Sequence, residues 1–187
     1  MHRQFEQVVV VSVRTTCWEK GARPEDEEHE IIEIGFCVLS MTTLEISRKE
    51  SFLIRPQRSK VSEFCTLLTT LTQEQVETGI AFPYACSLFK HRYETDSYAW
   101  ASFGEDHRLL IERECLVRQT PYPFNALHLN VRLLTTFHLQ LVQAPSMFRT
   151  LSLLGLPPQE GRRAGDAAWS AARVLAFFLS RLRRFPE

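Results

Sequence analysis

The sequence lacks most of the features that mark specialised classes of protein. No apolar run reaches the roughly 20 residues that a membrane-spanning helix needs. The five cysteines are odd in number, scattered and without a C-x-x-C pair. This pattern argues against a disulfide framework or a zinc site and favours reduced thiols, so we expect an intracellular protein, in the cytoplasm, the nucleus or an organelle. No internal repeat or low-complexity segment is present.

The chain also has no excess of charge of either sign. Its 22 Lys and Arg residues balance its 22 Asp and Glu residues, so the formal net charge is zero. No overall field draws such a protein to nucleic acid, and any binding of RNA must come from a local basic patch. With 187 residues and 44% hydrophobic content, we expect one domain spanning residues 1–187, with its core at about 8–182.

Hydrophobic patterning predicts a mixed α/β chain. The near-continuous β-branched run in residues 7–19 indicates a central strand that is covered on both faces. Further strands are predicted at residues 29–39, 51–56, 97–106 and 127–132. Helices are predicted within 61–76, where Thr72 and Gln75 have the spacing of a capping box, and at 82–93, 108–115, 147–156 and the C-terminal end.

Several motifs carry a resemblance to a known family. They are T-C-W-E at 16–19, E-I-I-E-I-G at 30–35, S-E-F-C at 62–65 with L-T-Q-E-Q-V at 71–76, P-Y-P-F at 121–124, and G-R at 161–162 with A-R-V-L at 172–175. Together they resemble the DEDDh 3'–5' exonucleases, specifically the Eri-type histone-mRNA and small-RNA exoribonucleases. One departure is Thr70, where that family usually has glycine. The resemblance implies an RNase H-like fold, a mixed five-stranded sheet with three antiparallel strands followed by parallel ones, flanked by helices.

The same resemblance shows that the family's catalytic residues are mostly replaced. Its two carboxylates on the first strand correspond to Ser12 and Arg14, and its third metal-binding Asp corresponds to Glu105. Its general-base histidine corresponds to Arg163. Its last metal-binding Asp corresponds to Ala167, or to Ala168 if the register shifts by one. Only Glu105, Asp106 and Asp166 remain as acids near these positions, so no catalytic residue is expected.

Two-metal phosphodiester hydrolysis needs several carboxylate oxygens to hold two hard divalent cations, and a base to take the proton from water. A guanidinium at position 14 puts a permanent positive charge where such a cation would sit. At about 4 Å and an effective dielectric near 20, that repulsion amounts to several kcal/mol. We therefore predict no metal and no cofactor; Mg²⁺ or Mn²⁺ enters only if the chain is an active exonuclease.

The substituted site has a constructive interpretation. Arg14, Arg162 and Arg163 can hold phosphate by bidentate hydrogen bonds, and Trp18 can stack a base. The candidate nucleic-acid-binding residues are Arg14, Thr15, Thr16, Trp18, Arg162 and Arg163. In the alternative, Arg14 forms a salt bridge with Glu105 or Asp166. Glu30 and Glu33 are expected to pair with neighbouring cations, and the basic residues Arg173, Arg181, Arg183 and Arg184 form a solvated helix face or contact RNA or an acidic partner.

Three functions remain open. The first is a catalytically degenerate exonuclease-like domain that contacts RNA or proteins in a larger, ribonucleoprotein assembly, with no membrane association. The second is an active 3'–5' exoribonuclease with a rearranged site built on Glu105, Asp106, Asp166 and Glu33. The third is a purely structural scaffold, in which Arg14, Arg162 and Arg163 are all neutralised by internal acids.

Overall fold

A computed structural model describes residues 5–182 of the chain. Five strands form one sheet in the order β3-β2-β1-β4-β5. The strands are β1 Gln7–Thr15, β2 Ile31–Ser40, β3 Ile46–Leu53, β4 Ala99–Ser102 and β5 His128–Asn130. The first three pair antiparallel, and β4 and β5 pair parallel. The expected RNase H-like mixed sheet is confirmed.

Helices cover both faces of this sheet. They are α1 Glu63–Thr69, α2 Gln73–Glu77, α3 Phe82–Arg92, α4 Asp106–Val117, α5 Val131–His138, α6 Met147–Leu153 and α7 Ala164–Leu182. Because side chains alternate along a strand, β1 supplies both layers of the core. Val9, Val11 and Val13 pack with α3 and α4, whereas Val8 and Val10 pack with α7. The predicted central strand is thus buried on both faces.

Two glycines set the position of α7 against the sheet. A Cβ atom on Gly35 of β2 would overlap the backbone of Gly165 in the first turn of α7. The helix backbone therefore lies directly against the strand, which only glycine permits at this closeness. This contact brings the loop before α7 over the end of β1, where the family motif places its site.

Some boundaries differ from the predictions. The third strand begins at Ile46 and ends at Leu53, earlier than predicted, because most of it is an exposed edge strand with polar residues. The last strand stops at Asn130, whose side chain accepts the Leu133 N–H and so caps α5. The segment 61–76 divides into α1 and α2, and the capping box of Thr72 and Gln75 at the start of α2 is confirmed.

The last helix carries part of the predicted basic surface. Arg181 lies over the ring of Phe177, 3.3 Å from its centroid, and Arg173 donates to the Pro157 carbonyl. Arg183 and Arg184 lie outside the described residues. Across residues 5–182, no helix combines the length and the apolar character required to traverse a membrane.

Candidate functional site

Two neighbouring spaces lie at the rim of the sheet where β1 ends. The outer groove, of about 700 Å³, is lined by the end of β1, by α1 and by the loop before α7. Its lining includes Arg14, Thr15, Leu67, Leu68, Gln159 and Arg162. The inner cavity, of about 150 Å³, is lined by residues that include Ser12, Arg14, His107, Met147, Gln159 and Ala167. Arg14 and Gln159 border both spaces.

Arg14 holds the loop before α7 through its backbone. Its Nε donates to the carbonyl of Arg162 over 2.9 Å, and a longer contact of 3.4 Å reaches the carbonyl of Arg163. Burial lowers the pKa of Arg14, while Glu33 and Asp166 act in the opposite direction. Within residues 5–182 its guanidinium forms no ion pair. The predicted salt bridge to Glu105 or Asp166 is therefore wrong, because Arg108 and Lys49 pair with those two acids instead.

Arg163 points to the sheet rather than to the groove. Its Nε and Nη2 both lie 2.9 Å from Oε1 of Glu33, which is fully buried. The backbone N–H of Ala164 donates to the other oxygen of Glu33 over 2.8 Å, so the carboxylate also stabilises the start of α7. The expected pairing of Glu33 with a cation is confirmed, and Arg163 is its partner.

The predicted binding residues therefore separate into two groups. Arg14, Thr15 and Arg162 line the outer groove, where the Arg162 Nη1 donates to the Leu67 carbonyl over 2.6 Å. Thr16 does not, because its hydroxyl is buried and bonds to Glu28 and Glu30.

Trp18 also lies outside the lining of the groove. Its half-buried ring packs against His29, with the ring centroids 5.4 Å apart. The neighbouring Cys17 does line the groove, and burial raises the pKa of its thiol to about 12, so this thiol is neutral.

Ala167 and Ser12 both line the inner cavity, whereas Ala168 is buried in the core. Glu105 and Asp106 line a different pocket, together with residues at the start of α5. Glu105 lies 3.2 Å from Arg108 and 3.6 Å from Nδ1 of His128. These two acids therefore do not join Ser12, Arg14 and Ala167.

Ser102, His128 and Glu105 stand in the order of a hydrolase triad, with 2.8 Å between the Ser102 hydroxyl and Nε2 of His128. The hydroxyl is fully buried, however, and donates its proton to the Gly104 carbonyl over 2.7 Å. Burial also lowers the pKa of His128. Ser102 is thus a buried hydrogen-bonding residue rather than an exposed nucleophile.

Sequence reasoning missed two residues of the inner cavity, His107 and Gln159. His107 lies in the first turn of α4, which begins at Asp106 rather than at 108. Its Nδ1 accepts the N–H of Val13 over 3.3 Å, and burial, with Arg14 nearby, lowers its pKa to about 4. A predicted helix that began at Asp106 would have included this histidine in its first turn, close to the end of β1. Gln159 lies in a loop whose course no local pattern indicates.

The residues around the inner cavity do not fit a pair of divalent cations. Hard cations need carboxylate oxygens, and the cavity is lined by a hydroxyl, a guanidinium, an imidazole, an amide and apolar side chains. Elsewhere in the described part of the chain, no three His, Cys, Asp or Glu residues are grouped so that they can hold a metal ion. Glu33 and Asp166 are each engaged by a cation.

Comparison with known proteins agrees with the fold. Residues 15–103 match the model of the exonuclease family. The chain is 35% identical over 86 residues to the 3'-5' exonuclease Snipper of Drosophila melanogaster, covering 46% of this chain and 31% of that protein. It is 38% identical over 80 residues to 3'-5' exoribonuclease 1 of Mus musculus, covering 42% of this chain and 23% of that protein. The matched part thus spans less than a third of these curated relatives.

Solved structures extend the likeness to nearly the whole chain. A full-length 3'-exonuclease superposes with a TM-score of 0.80 at 25% identity, covering 95% of this chain and 61% of that one. A 3'-exonuclease solved for the recognition of the histone mRNA stem-loop gives 0.79 at 26% identity, covering 95% and 83%. The nuclease domain of a DEDDh family member bound to rAMP shares the fold, with a TM-score of 0.80 at 24% identity over 97% and 95%. The expected resemblance to the 3'-5' exoribonucleases is confirmed: residues 15–103 match the exonuclease family model, and the chain is similar to 3'-5' exoribonucleases in sequence and to 3'-exonucleases in fold.

Proposed function

We infer that this chain is a catalytically silent exonuclease-like domain that contacts single-stranded RNA through the outer groove, without a metal ion. One observation carries this inference. At the end of β1, where the family has carboxylates, the inner cavity is bordered by Ser12 and Arg14, and the cation of Arg14 is used to hold the loop before α7. A positive charge at that point opposes the binding of divalent cations.

The outer groove has the character of a site for single-stranded nucleic acid. Leu67 and Leu68 expose 65% and 50% of their surface along one wall and offer apolar contact to bases. Arg14 and Arg162 supply positive charge, and Thr15 supplies a hydroxyl. Backbone-tracking cations beside apolar surfaces are typical of single-strand binding sites. The relative solved for recognition of the histone mRNA stem-loop also favours RNA as the ligand class.

The contacts of the remaining acids support silence over a rearranged catalytic site. Glu33 pairs with Arg163, and Asp166 pairs with Lys49 over 2.6 Å. Glu105 and Asp106 border a separate pocket. Acids that are divided among different partners and pockets do not supply the convergent oxygens that two metal ions need.

A role in a protein assembly is favoured by exposed apolar residues on two helices. On α5 and α6, Leu133, Phe137 and Phe148 expose 50%, 74% and 77% of their surface. Large apolar side chains at this exposure are candidates for contact with a protein partner. Replacing Phe137 and Phe148 with Ser should leave RNA binding unchanged and abolish co-purification of a protein partner.

Degradation and binding of one RNA oligonucleotide test the RNA proposal. A 3'-labelled single strand is incubated with the full chain and Mg²⁺ or Mn²⁺, and binding of the same strand is measured in EDTA. We expect intact RNA and salt-sensitive binding. Degradation that EDTA abolishes would contradict catalytic silence. Intact RNA without binding would contradict RNA contact and favour the purely structural scaffold.

A further inference from the structure

The inner cavity has the size of a tetrahedral oxyanion. Its volume is about 150 Å³, which corresponds to roughly five water molecules at their share of liquid volume. A phosphate group has five non-hydrogen atoms and is of comparable size. Arg14 and Gln159 line both this cavity and the outer groove. A group that spans the two spaces therefore lies against Arg14.

Ser12 leaves a hydrogen-bonding group unused in this cavity. The residue is 2% exposed, and its Oγ has no hydrogen-bond partner within residues 5–182. A buried hydroxyl without a partner costs about 1–3 kcal/mol. Since Ser12 lines the cavity, an oxygen atom of a bound group would remove this cost. The Ser12 hydroxyl can therefore donate a hydrogen bond to a bound group.

His107 supplies a second neutral donor. Its Nδ1 accepts the N–H of Val13, so the neutral ring carries its proton on Nε2. The neutral form is the one expected at physiological pH, because burial lowers the pKa of His107. No partner of Nε2 occurs among the described residues. A neutral imidazole with a fixed tautomer therefore borders the cavity as an N–H donor.

Arg14 supplies the charge. Arg14 is half-buried, and its guanidinium bonds to backbone carbonyls, with no carboxylate in direct contact within residues 5–182. The rest of the wall, Phe103, Met147, Ala167 and Ala171, has no acidic group. A guanidinium and two neutral donors around an acid-free space match an anion with several acceptor oxygens.

We propose that the inner cavity is a metal-independent binding site for a phosphate monoester, supplied by the terminal phosphate of an RNA strand that lies in the outer groove. An internal phosphodiester carries a nucleoside on each side. One nucleoside can lie in the outer groove, but a cavity of about 150 Å³ has no room for the other beside the phosphate. A terminal phosphate enters from one side only. The source of the phosphate rests on the proposed function; the site itself does not, since a free nucleotide or inorganic phosphate has the same chemistry.

Three versions of one internally labelled oligonucleotide test this site in EDTA, with a 3'-phosphate, with a 5'-phosphate and with neither. Binding to the full chain is measured by fluorescence anisotropy, with inorganic phosphate as a competitor. We expect one phosphorylated end to raise affinity about tenfold or more, the effect of one or two charge-assisted hydrogen bonds. Inorganic phosphate should abolish that advantage.

Ser12→Ala is the decisive variant because the hydroxyl has no partner to lose, so the fold should be unaffected. It should reduce the preference for the phosphorylated end about tenfold without lowering the melting temperature. Thr150→Ala is the matched control, since Thr150 is another buried hydroxyl without a partner and does not line the cavity. It should leave the preference unchanged.

The outcomes separate the site from the proposed function. Equal binding of all three oligonucleotides would overturn the phosphate site and leave RNA contact standing. Equal effects of Ser12→Ala and Thr150→Ala would overturn the assignment to this cavity. If no oligonucleotide binds, but inorganic phosphate raises the melting temperature of the wild type and not of Ser12→Ala, the site stands and the RNA proposal falls.

Discussion

Glu33 and Arg163 form an ion pair, 130 positions apart in sequence, that joins the second strand to the beginning of the last helix, with 2.9 Å between Oε1 and Nε. The carboxylate is fully buried and the guanidinium side chain is 37% exposed. The residue at the position of the family's general base therefore stabilises the fold. Arg162, directly before it, faces the outer groove instead.

Replacing Arg163 should affect stability and leave binding unchanged. Arg163→Gln leaves Glu33 with the Ala164 N–H as its remaining partner. Because Arg163 is partly exposed, we expect a loss of about 1–3 kcal/mol in the free energy of unfolding, below the range for fully buried pairs. Urea unfolding measures it, and Arg163→Lys should recover part. An unchanged midpoint would show that the pair contributes nothing.

Replacing Arg162 should weaken RNA binding and leave stability unchanged. Its side chain is exposed and bonds to the Leu67 carbonyl beside the apolar wall. Arg162→Gln should weaken RNA binding in EDTA and reduce the slope of log K against log salt by about 0.7, the value for one phosphate contact on a single strand. The melting temperature should stay the same.

Arg92→Gln is the control for this measurement, because Arg92 is an exposed cation on α3 that lies over Tyr93 and outside the groove. If both variants weaken binding equally, the interaction depends on overall charge, not on the groove.

Thr70 is strained where the family has glycine. It ends α1 in the left-handed region, with φ at 65°, and is exposed. A β-branched residue in this conformation costs about 1–2 kcal/mol, more than the entropy that glycine adds to the unfolded state. Thr70→Gly should therefore raise the free energy of unfolding by about 0.5–1 kcal/mol.

Thr78→Gly is the matched substitution, since Thr78 ends α2 with φ at −77° and should only lose stability, by about 0.5–1 kcal/mol. Thermal and urea unfolding of both variants give the comparison. If Thr70→Gly lowers the free energy of unfolding as much as Thr78→Gly does, Thr70 is not strained.

Glu30 predicts a loss of stability in acid. Burial works to raise its pKa, but the backbone N–H groups of Gln57, Ser59 and Arg58, together with Arg118, outweigh it, and the pKa is lowered. A carboxylate with a lowered pKa contributes stability above its unfolded pKa of about 4.3. That contribution is lost as the pH falls through the folded value.

Glu30→Gln measures this contribution. At pH 7 we expect a loss of about 2–4 kcal/mol in the free energy of unfolding. The substitution neutralises a carboxylate that accepts three backbone N–H groups and pairs with the buried Arg118. The gap between variant and wild type should narrow below about pH 4. A gap that is constant from pH 7 to pH 3 would contradict the ionised carboxylate as its cause.

Much of the fold was predictable because its signals are local. A few consecutive residues are enough to indicate the β-branched strand β1, the capping box at Thr72 and the buried strand β4. The exposed edge strand β3 was placed late because polar side chains hide its pattern. The expectation that Glu30 and Glu33 pair with cations was right, but their partners, Arg118 and Arg163, are 88 and 130 positions away.

The sequence by itself determined which chemical groups stand at the family's catalytic positions, since Ser12, Arg14, Arg163 and Ala167 are visible without coordinates. Only the tertiary structure decided which partners those groups have. Lys49 pairs with Asp166 and Arg108 with Glu105, so Arg14 is left to bond backbone carbonyls. Competition among charges from distant segments is resolved by packing, and packing also brings His107 to the cavity beside Ser12.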